Sequence, residues 1–369
     1  MEIPGELISL SRYFGKQDYV IAGGGNTSYK KNDRLWIKAS GIPLAGIDEK
    51  GFVCMSRSEL DKISSTEYSE DPFVREQQIK TDMMKAVVGD RNKRPSVETL
   101  LHNLIDYPWV VHTHPSTVNA LLCSKDAKTI TAEIFADDVL FLDYVNPGYE
   151  LFKYAENKIA DYVVLTGIQP DIIFLGNHGI VVCGSDAKNL YRKTDRLINS
   201  VKTHCKSKLP SDEEYSPDAD TGELLRKLNN YFKNLDRVPL FRNNDLIQLF
   251  IGDEGNFKKS ARPFTPDNVV YCKSEYLFSG GDADNIIADI ELFKKDRGYL
   301  PRIIALEHKG ILSAASDKTA AETILDVFQD MLKIKLLSDN FGGPRFLNNE
   351  QVQFIDNWEA ENYRRSIRY

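Results

Sequence analysis

The run Trp109-Val110-Val111-His112-Thr113-His114-Pro115 carries two histidines one residue apart, directly after apolar and β-branched residues that favour a strand. Side chains alternate along a strand with period two, so both imidazoles leave one face and can chelate a single ion. Far downstream, Ile172-Ile173-Phe174-Leu175 runs into Gly176-Asn177-His178-Gly179, and His178 is the natural third ligand. Three neutral imidazoles leave a divalent ion with an open position, the arrangement of a catalytic zinc site rather than a structural one. Taken alone, His178 also reads as a turn histidine hydrogen-bonded to backbone. Of the six histidines (102, 112, 114, 178, 204, 308), three stand at strand ends beside Pro or Gly turns, where rigid scaffolds place functional groups.

A second constellation can hold an anion. Ala22-Gly23-Gly24-Gly25-Asn26-Thr27-Ser28 lies between the apolar Tyr19-Val20-Ile21 and the strand-like Leu35-Trp36-Ile37-Lys38. Glycines let backbone N–H groups approach an anion, and Asn26, Thr27 and Ser28 add donors, so the stretch is a candidate phosphate cradle. It is neither a dinucleotide fingerprint nor a P-loop, and it also fits a β-hairpin turn with positive φ. Lys38-Ala39-Ser40-Gly41 adds a hydroxyl and a glycine for another phosphate oxygen. Arg94-Pro95-Ser96-Val97-Glu98 is expected to open a helix through Leu100, Leu101, Leu104 and Ile105, with Ser96 as N-cap and Glu98 in the first turn. A first-turn glutamate commonly serves the helix dipole. Because this helix leads straight back to the His-x-His strand, Glu98 can also lie beside the ion.

The elements that must position these groups alternate. Residues 6–14 read as an amphipathic helix with Leu7, Leu10 and Phe14 on one side, and residues 69–88 as polar, then helical. Helices are expected over 117–122, 149–160 and 187–201, with strand pieces at Phe141-Leu142, Val163-Val164-Leu165 and Ile180-Val181-Val182-Cys183. Residues 206–222, with Pro210, Pro217 and several acids, read as an exposed linker between a catalytic domain at 1–205 and a second half at 223–369.

Length and composition narrow the function classes. A chain of 369 residues with 42% hydrophobic residues can build two domains or one large one. Its net charge of −7, with basic residues spread rather than clustered, lacks the electrostatic footprint of a nucleic-acid binder. Five cysteines lie far apart without a Cys-x-x-Cys pair, which fits reduced thiols in a cytoplasmic protein, most of them buried as small hydrophobes. Met1-Glu2-Ile3-Pro4-Gly5-Glu6 shows no basic segment followed by an apolar run, and no eighteen apolar residues occur together, so a soluble, unprocessed chain away from membranes is expected.

The second half partly echoes the first. Phe135-Ala136-Asp137-Asp138-Val139-Leu140 resembles Phe264-Thr265-Pro266-Asp267-Asn268-Val269-Val270, and Leu175-Gly176-Asn177-His178-Gly179-Ile180-Val181 resembles Leu306-Glu307-His308-Lys309-Gly310-Ile311-Leu312. Ser185-Asp186 and Ser316-Asp317 keep step, each pair leading into a helix. Such matched spacing suggests a duplication whose later copy has lost its chemistry. It has no His-x-His pair and no glycine-rich turn, Lys309 replaces His178, and His308 is offset by one position and reads as structural.

Gly24-Gly25-Asn26-Thr27-Ser28, Lys38-Ala39-Ser40-Gly41, Pro95-Ser96-Val97-Glu98, His112-Thr113-His114-Pro115 and Asn177-His178-Gly179 resemble, in this order, the motifs of the class II aldolase/adducin family. The resemblance covers roughly residues 5–205. The region of Phe264-Thr265-Pro266-Asp267 is further similar to the aldolase part of bifunctional rhamnulose-phosphate aldolase/dehydrogenases, and the chain, ending at Tyr369, is expected to lack their dehydrogenase domain. The resemblance implies a three-layer α/β/α domain with a mainly antiparallel central sheet, here joined to a degenerate second half, and a homo-oligomer with active sites between subunits. The second half is expected to cover a face that simpler members use between subunits.

The resemblance also implies one Zn²⁺ on His112, His114 and His178, Glu98 as the acid/base, and Gly25, Asn26, Thr27, Ser28, Ser40, Gly41 and Ser96 around the substrate phosphate. Val97 stands where many aldolases of the family have a second serine, and Tyr144 and Tyr149 are candidates for a proton-donating tyrosine. The implied activity is cleavage of a ketose 1-phosphate, of the rhamnulose or fuculose type, to dihydroxyacetone phosphate and an aldehyde. Zinc would stabilise the enediolate and Glu98 would carry the proton, its pKa raised by partial burial and lowered by the metal. Pentulose-phosphate 4-epimerase or sugar-phosphate dehydratase activity, or a non-catalytic adducin-like module, are the alternatives.

Overall fold

The fold is that of a computed structural model, which describes residues 3–358. Met1, Glu2 and residues 359–369, the end of the expected second half, lie outside the described residues. The first half contains α1 (Gly5–Phe14), β1 (Asn26–Lys31), β2 (Arg34–Lys38), β3 (Phe52–Ser56), α2 (Arg57–Ser64), α3 (Pro72–Lys85), α4 (Thr99–Leu104), β4 (Trp109–Thr113), α5 (Ser116–Leu122), α6 (Ala127–Phe135), β5 (Leu140–Leu142), α7 (Tyr149–Thr166), β6 (Ile172–Leu175), β7 (Gly179–Gly184) and α8 (Ala187–Lys202).

Its seven strands form one sheet in the order β3-β2-β1-β4-β7-β6-β5, antiparallel at every pairing except β5–β6. Alternation along the central strands divides their side chains between two helical layers. Val111, Ile180 and Val182 pack with Leu7, Leu10 and Phe14 of α1, with α5, and with Leu190, Leu197 and Val201 of α8. Val110, Val181 and Cys183 pack on the opposite face with Leu101 of α4 and Ile159 of α7, while Leu35, Ile37 and Val53 meet α2 and α3. A fully buried leucine or valine of this kind contributes about 1.5–3 kcal/mol. The expected three-layer α/β/α architecture is what these clusters describe.

The second half contains α9 (Ala219–Lys233), β8 (Val238–Arg242), α10 (Asp245–Gln248), α11 (Glu254–Ser260), α12 (Pro266–Cys272), β9 (Leu277–Ser279), α13 (Ala283–Arg297), β10 (Ile304–Leu306), β11 (Gly310–Ala315), α14 (Lys318–Ser338) and α15 (Asn349–Asn357). Its sheet runs β8-β11-β10-β9, with β9–β10 parallel and the other pairs antiparallel. This is the order and sense of β4-β7-β6-β5. The register repeats as well: Leu175 faces Gly179 as Leu306 faces Gly310, and Leu140 faces Ile173 as Leu277 faces Ile304. Asp186 caps α8 and Asp317 caps α14, each accepting a backbone N–H of the first turn.

Several local expectations are corrected. Val163, Val164 and Leu165 continue α7, which ends only where Gly167 takes φ 76°, and Val164 and Leu165 are 85% exposed at its solvent side. The α4 helix starts at Thr99, so Glu98 is its N-cap residue, and Ser96 lies upstream with its hydroxyl accepting from Glu98 N–H. The tight turn of the β1–β2 hairpin is Asn32-Asp33, and the glycines precede β1. Gly222 belongs to α9 rather than to the linker, and the segment before it is held by Lys206 and Ser207 N–H donating to Asn340 Oδ1.

The pairing of Phe135-Asp138 with Phe264-Asp267 also fails. Phe135 ends α6 and lies close to β5, whereas Phe264 lies ahead of the whole of α12, the helix that leads into β9. The halves are not separate bodies: Cys123 packs in the second half's core, and Leu337 and Phe341 pack in the first half's. All five cysteines are free; Cys123, Cys183 and Cys272 are buried, and Cys54 and Cys205 half-buried. Among the described residues no helix is long and apolar enough to cross a membrane.

Candidate metal and phosphate site

Strand β4 carries His112, and His114 follows one residue beyond it, its N–H donating to Tyr19 O. His112 lies two residues past Val110 and so shares the α4 face, where Glu98 waits at the helix start. His178 arrives on the β6–β7 turn. Glycine at 179 is required there, because a Cβ would stand 2.5 Å from His114 Cδ2 and 3.2 Å from His112 Cε1. The three imidazoles place one ligand nitrogen each within 4.8 Å of the others, and His112 and His178 are buried. Burial holds the pKa of His178 at about 3 and lowers that of His112, so both are neutral ligands at ordinary pH.

The outer nitrogens are committed. His112 Nδ1–H donates to Ile180 O at 2.9 Å, and His114 Nδ1–H donates to Asp267 Oδ2 at 2.7 Å. The two Nε2 atoms lie 2.9 Å apart. Glu98 Oε1, buried with no hydrogen-bond partner, lies 3.4 Å from His112 Nε2 and 3.3 Å from His178 Nε2. Three imidazole nitrogens converging beside a buried, unpaired carboxylate oxygen are a donor set that fits a divalent ion. The other carboxylate oxygen, Oε2, accepts from Asn26 Nδ2. Burial raises the Glu98 pKa, but the imidazoles of His112, His178, His114 and His102 lower it further, to about 2; the balance is opposite to the expected rise.

Beside this cluster a pocket is lined by Gly23, Gly24, Gly25, Asn26, Lys38, Ser40, Gly41, Ser96, Val97, Glu98, His114, Pro147, His178, Pro266 and Asp267. The bridge between Ala39 and Pro95, reinforced by Ser40 N–H to Arg94 O, brings the serines of the two motifs to one wall. Gly25, Asn26, Ser40, Gly41 and Ser96 thus line one pocket. Thr27 and Ser28 do not line the pocket. They lie within β1, where the Thr27 hydroxyl pairs with Ser11 Oγ and the Ser28 hydroxyl with His102 Nδ1. Tyr144 and Tyr149 are also absent from the lining, Tyr149 facing a neighbouring apolar cavity.

Two charged lining residues escaped the sequence reading. Lys38 is 2% exposed, its ammonium donating to Ile42 O at 2.8 Å and Gly23 O at 3.2 Å, and brings a positive charge to the pocket. The signal was there, a lysine directly before Ala39-Ser40-Gly41. Asp267 had no such signal, because its motif pointed to the repeat and away from the site.

The family model of the class II aldolase and adducin N-terminal domain matches residues 5–205. The chain belongs to this family. It is 26% identical over 206 residues to an L-fuculose phosphate aldolase of Methanocaldococcus jannaschii, covering 53% of this chain and 92% of that one. It is 27% identical over 225 residues to the uncharacterized oxidoreductase YuxG of Bacillus subtilis, covering 57% of this chain and only 30% of the length of YuxG. Among solved structures, the N-terminal class II aldolase domain of a conserved Thermoplasma acidophilum protein is 25% identical, covers 54% of this chain and 91% of its own, and superposes with a TM-score of 0.46.

Proposed function

We propose that the protein is a zinc-dependent sugar-phosphate aldolase that cleaves a ketose 1-phosphate to dihydroxyacetone phosphate and an aldehyde. The observation that carries this reading is the convergence of His112, His114, His178 and the unpaired Glu98 oxygen beside a pocket with a buried lysine and two serines. The similarity to an L-fuculose phosphate aldolase supports it. Zinc on the three imidazoles would supply Lewis-acid stabilisation of the charge left on the ketose fragment when the C3–C4 bond breaks.

The remaining work belongs to side chains. Lys38, Ser40, Ser96 and the close backbone approach at Gly25 bind the phosphate and so hold the sugar chain against the histidine cluster. Glu98, ionised and oriented by Asn26, takes up the proton that the C4 hydroxyl releases as the C3–C4 bond breaks and the aldehyde forms, and delivers it to C3 of the dihydroxyacetone phosphate fragment. We assign the second half, with its matching strand order, to a duplicated unit that holds no metal of its own.

Zinc-loaded protein assayed against a panel of ketose 1-phosphates and pentulose phosphates tests the reading. Retro-aldol cleavage of a ketose 1-phosphate is expected. C4 epimerisation or dehydration without cleavage would replace it with a sister reaction of the family, and turnover of unphosphorylated ketoses at equal rates would remove the phosphate site.

A further inference from the structure

The register of β4 against β7 leaves His114 without a main-chain partner for its outer nitrogen. Pairing ends at Thr113 opposite Ile180, and the Ile180 carbonyl already accepts from His112. The acceptor for His114 comes instead from the second half. Asp267 stands in the first turn of α12, and its carboxylate is 13% exposed. The helix start is locked by a capping box, in which Thr265 Oγ1 accepts from Asn268 N–H and Asn268 Oδ1 from Thr265 N–H. The same helix reaches the glycine-rich turn, where Gly23 N–H donates to Tyr271 Oη at 3.0 Å. A Cβ at Gly24 would stand 2.7 Å from Asp267 Oδ2 and 3.0 Å from His114 Nδ1, so the turn is shaped around this pair.

We propose that Asp267 is a positioning residue of the metal site, holding His114 as the Nδ1–H tautomer and aiming its Nε2 at the ion. The second half then takes part in the chemistry of the first without binding metal itself. This deepens the metal-dependent reading above and rests on it. A carboxylate on the outer nitrogen of a ligating imidazole fixes ring orientation and raises ligand basicity, and its loss typically lowers metal affinity about 10–100-fold. The competing role for a first-turn aspartate, interaction with the helix dipole, would leave the His114 tautomer and metal affinity unmoved.

The test combines zinc titration of the full chain with ¹⁵N chemical shifts of the His114 ring in metal-free protein at one fixed pH. Wild type should show Nδ1–H on His114, and Asp267→Asn should lose the single tautomer and bind zinc about 10–100-fold more weakly. Cobalt-loaded Asp267→Asn should show an altered ligand-field spectrum. An Nε2–H tautomer in wild type, or unchanged zinc affinity in a folded Asp267→Asn protein, would overturn the proposal. The wild-type tautomer decides the matter even where the variant misfolds. Failure of wild type to bind zinc at all, with the Nδ1–H tautomer present, would sink the aldolase reading and leave the Asp267 contact standing.

Discussion

The β6–β7 and β10–β11 turns are the same backbone device with different chemistry. Each joins two antiparallel strands in identical register, and each places its second turn residue at positive φ, 53° for Asn177 and 56° for His308. In the first turn, Asn177 Nδ2 donates to Phe264 O and Arg345 O, so the second half clamps it, and Asn177 and His178 are buried. In the second turn Glu307 and His308 are exposed. Following the register, Phe241 lies opposite Leu312 as His112 lies opposite Val181, and Lys309 replaces His178. Gly310 even keeps the close approach of Gly179, a Cβ there meeting Phe241 Cζ at 2.5 Å. The same turn and register thus carry different side chains in the two halves. What distinguishes the first is its three converging histidines together with the burial of Asn177 and His178.

The largest effect is expected from writing the second half into the first. His178→Lys should abolish zinc binding and aldol cleavage together, since a cation replaces a ligand; bound zinc by elemental analysis and activity on the same sample check this, and a zinc-replete variant would break the comparison. Glu98→Gln should keep the metal and lower the rate about 10²–10⁴-fold, measured by steady-state kinetics.

Acid should expose the burial of the first turn. Burial holds His178 and His102 at about 3, whereas an unfolded histidine titrates near about 6.5. Between those values the unfolded chain binds more protons at these two histidines, so their contribution to the stability of the metal-free protein rises with pH and falls on acidification, against the opposite contribution of Glu76 and Asp330, whose pKa values burial raises to about 7 and about 6. From pH 7 to pH 4 the part carried by His178 should be on the order of a few kcal/mol, read as the difference in urea midpoints between wild type and a His178 variant. His178→Gln should flatten that slope, and an equal slope in the variant would contradict a buried neutral His178.

Smaller effects follow. Ser40→Ala should raise KM for the phosphorylated substrate about tenfold and weaken competitive inhibition by inorganic phosphate, as expected for one hydrogen bond to an anion. Lys309→Ala should leave activity unchanged and stability within about 0.5 kcal/mol by chemical denaturation. A large effect there would give the second turn a role of its own.

Much of the site was legible because its signals are local. The period of a strand puts His112 and His114 on one side, a Gly-flanked turn offers His178, and neighbouring motifs supply Ser40, Gly41 and Ser96. The strands of β4, β6 and β7 were legible for the same reason, being apolar runs bounded by Pro and Gly turns. Val163-Val164-Leu165 misled because three apolar residues fit a strand or the end of a helix equally, and the continuation from Tyr149 decides between them. The match of Phe135-Asp138 to Phe264-Asp267 misled because spacing along the chain does not report strand register.

The residue types by themselves pointed to the family and to the histidines and glutamate of the candidate site, since those depend on chemistry carried within short motifs. Only the tertiary structure decided that Thr27 and Ser28 turn away from the pocket, that Lys38 lines it, and that Asp267, 153 positions beyond His114, completes the histidine cluster. Those outcomes depend on which strands pair and which helix packs across them. Side-chain direction is set by that long-range register, and a residue whose partner is distant in the chain carries no local sign of where it will point.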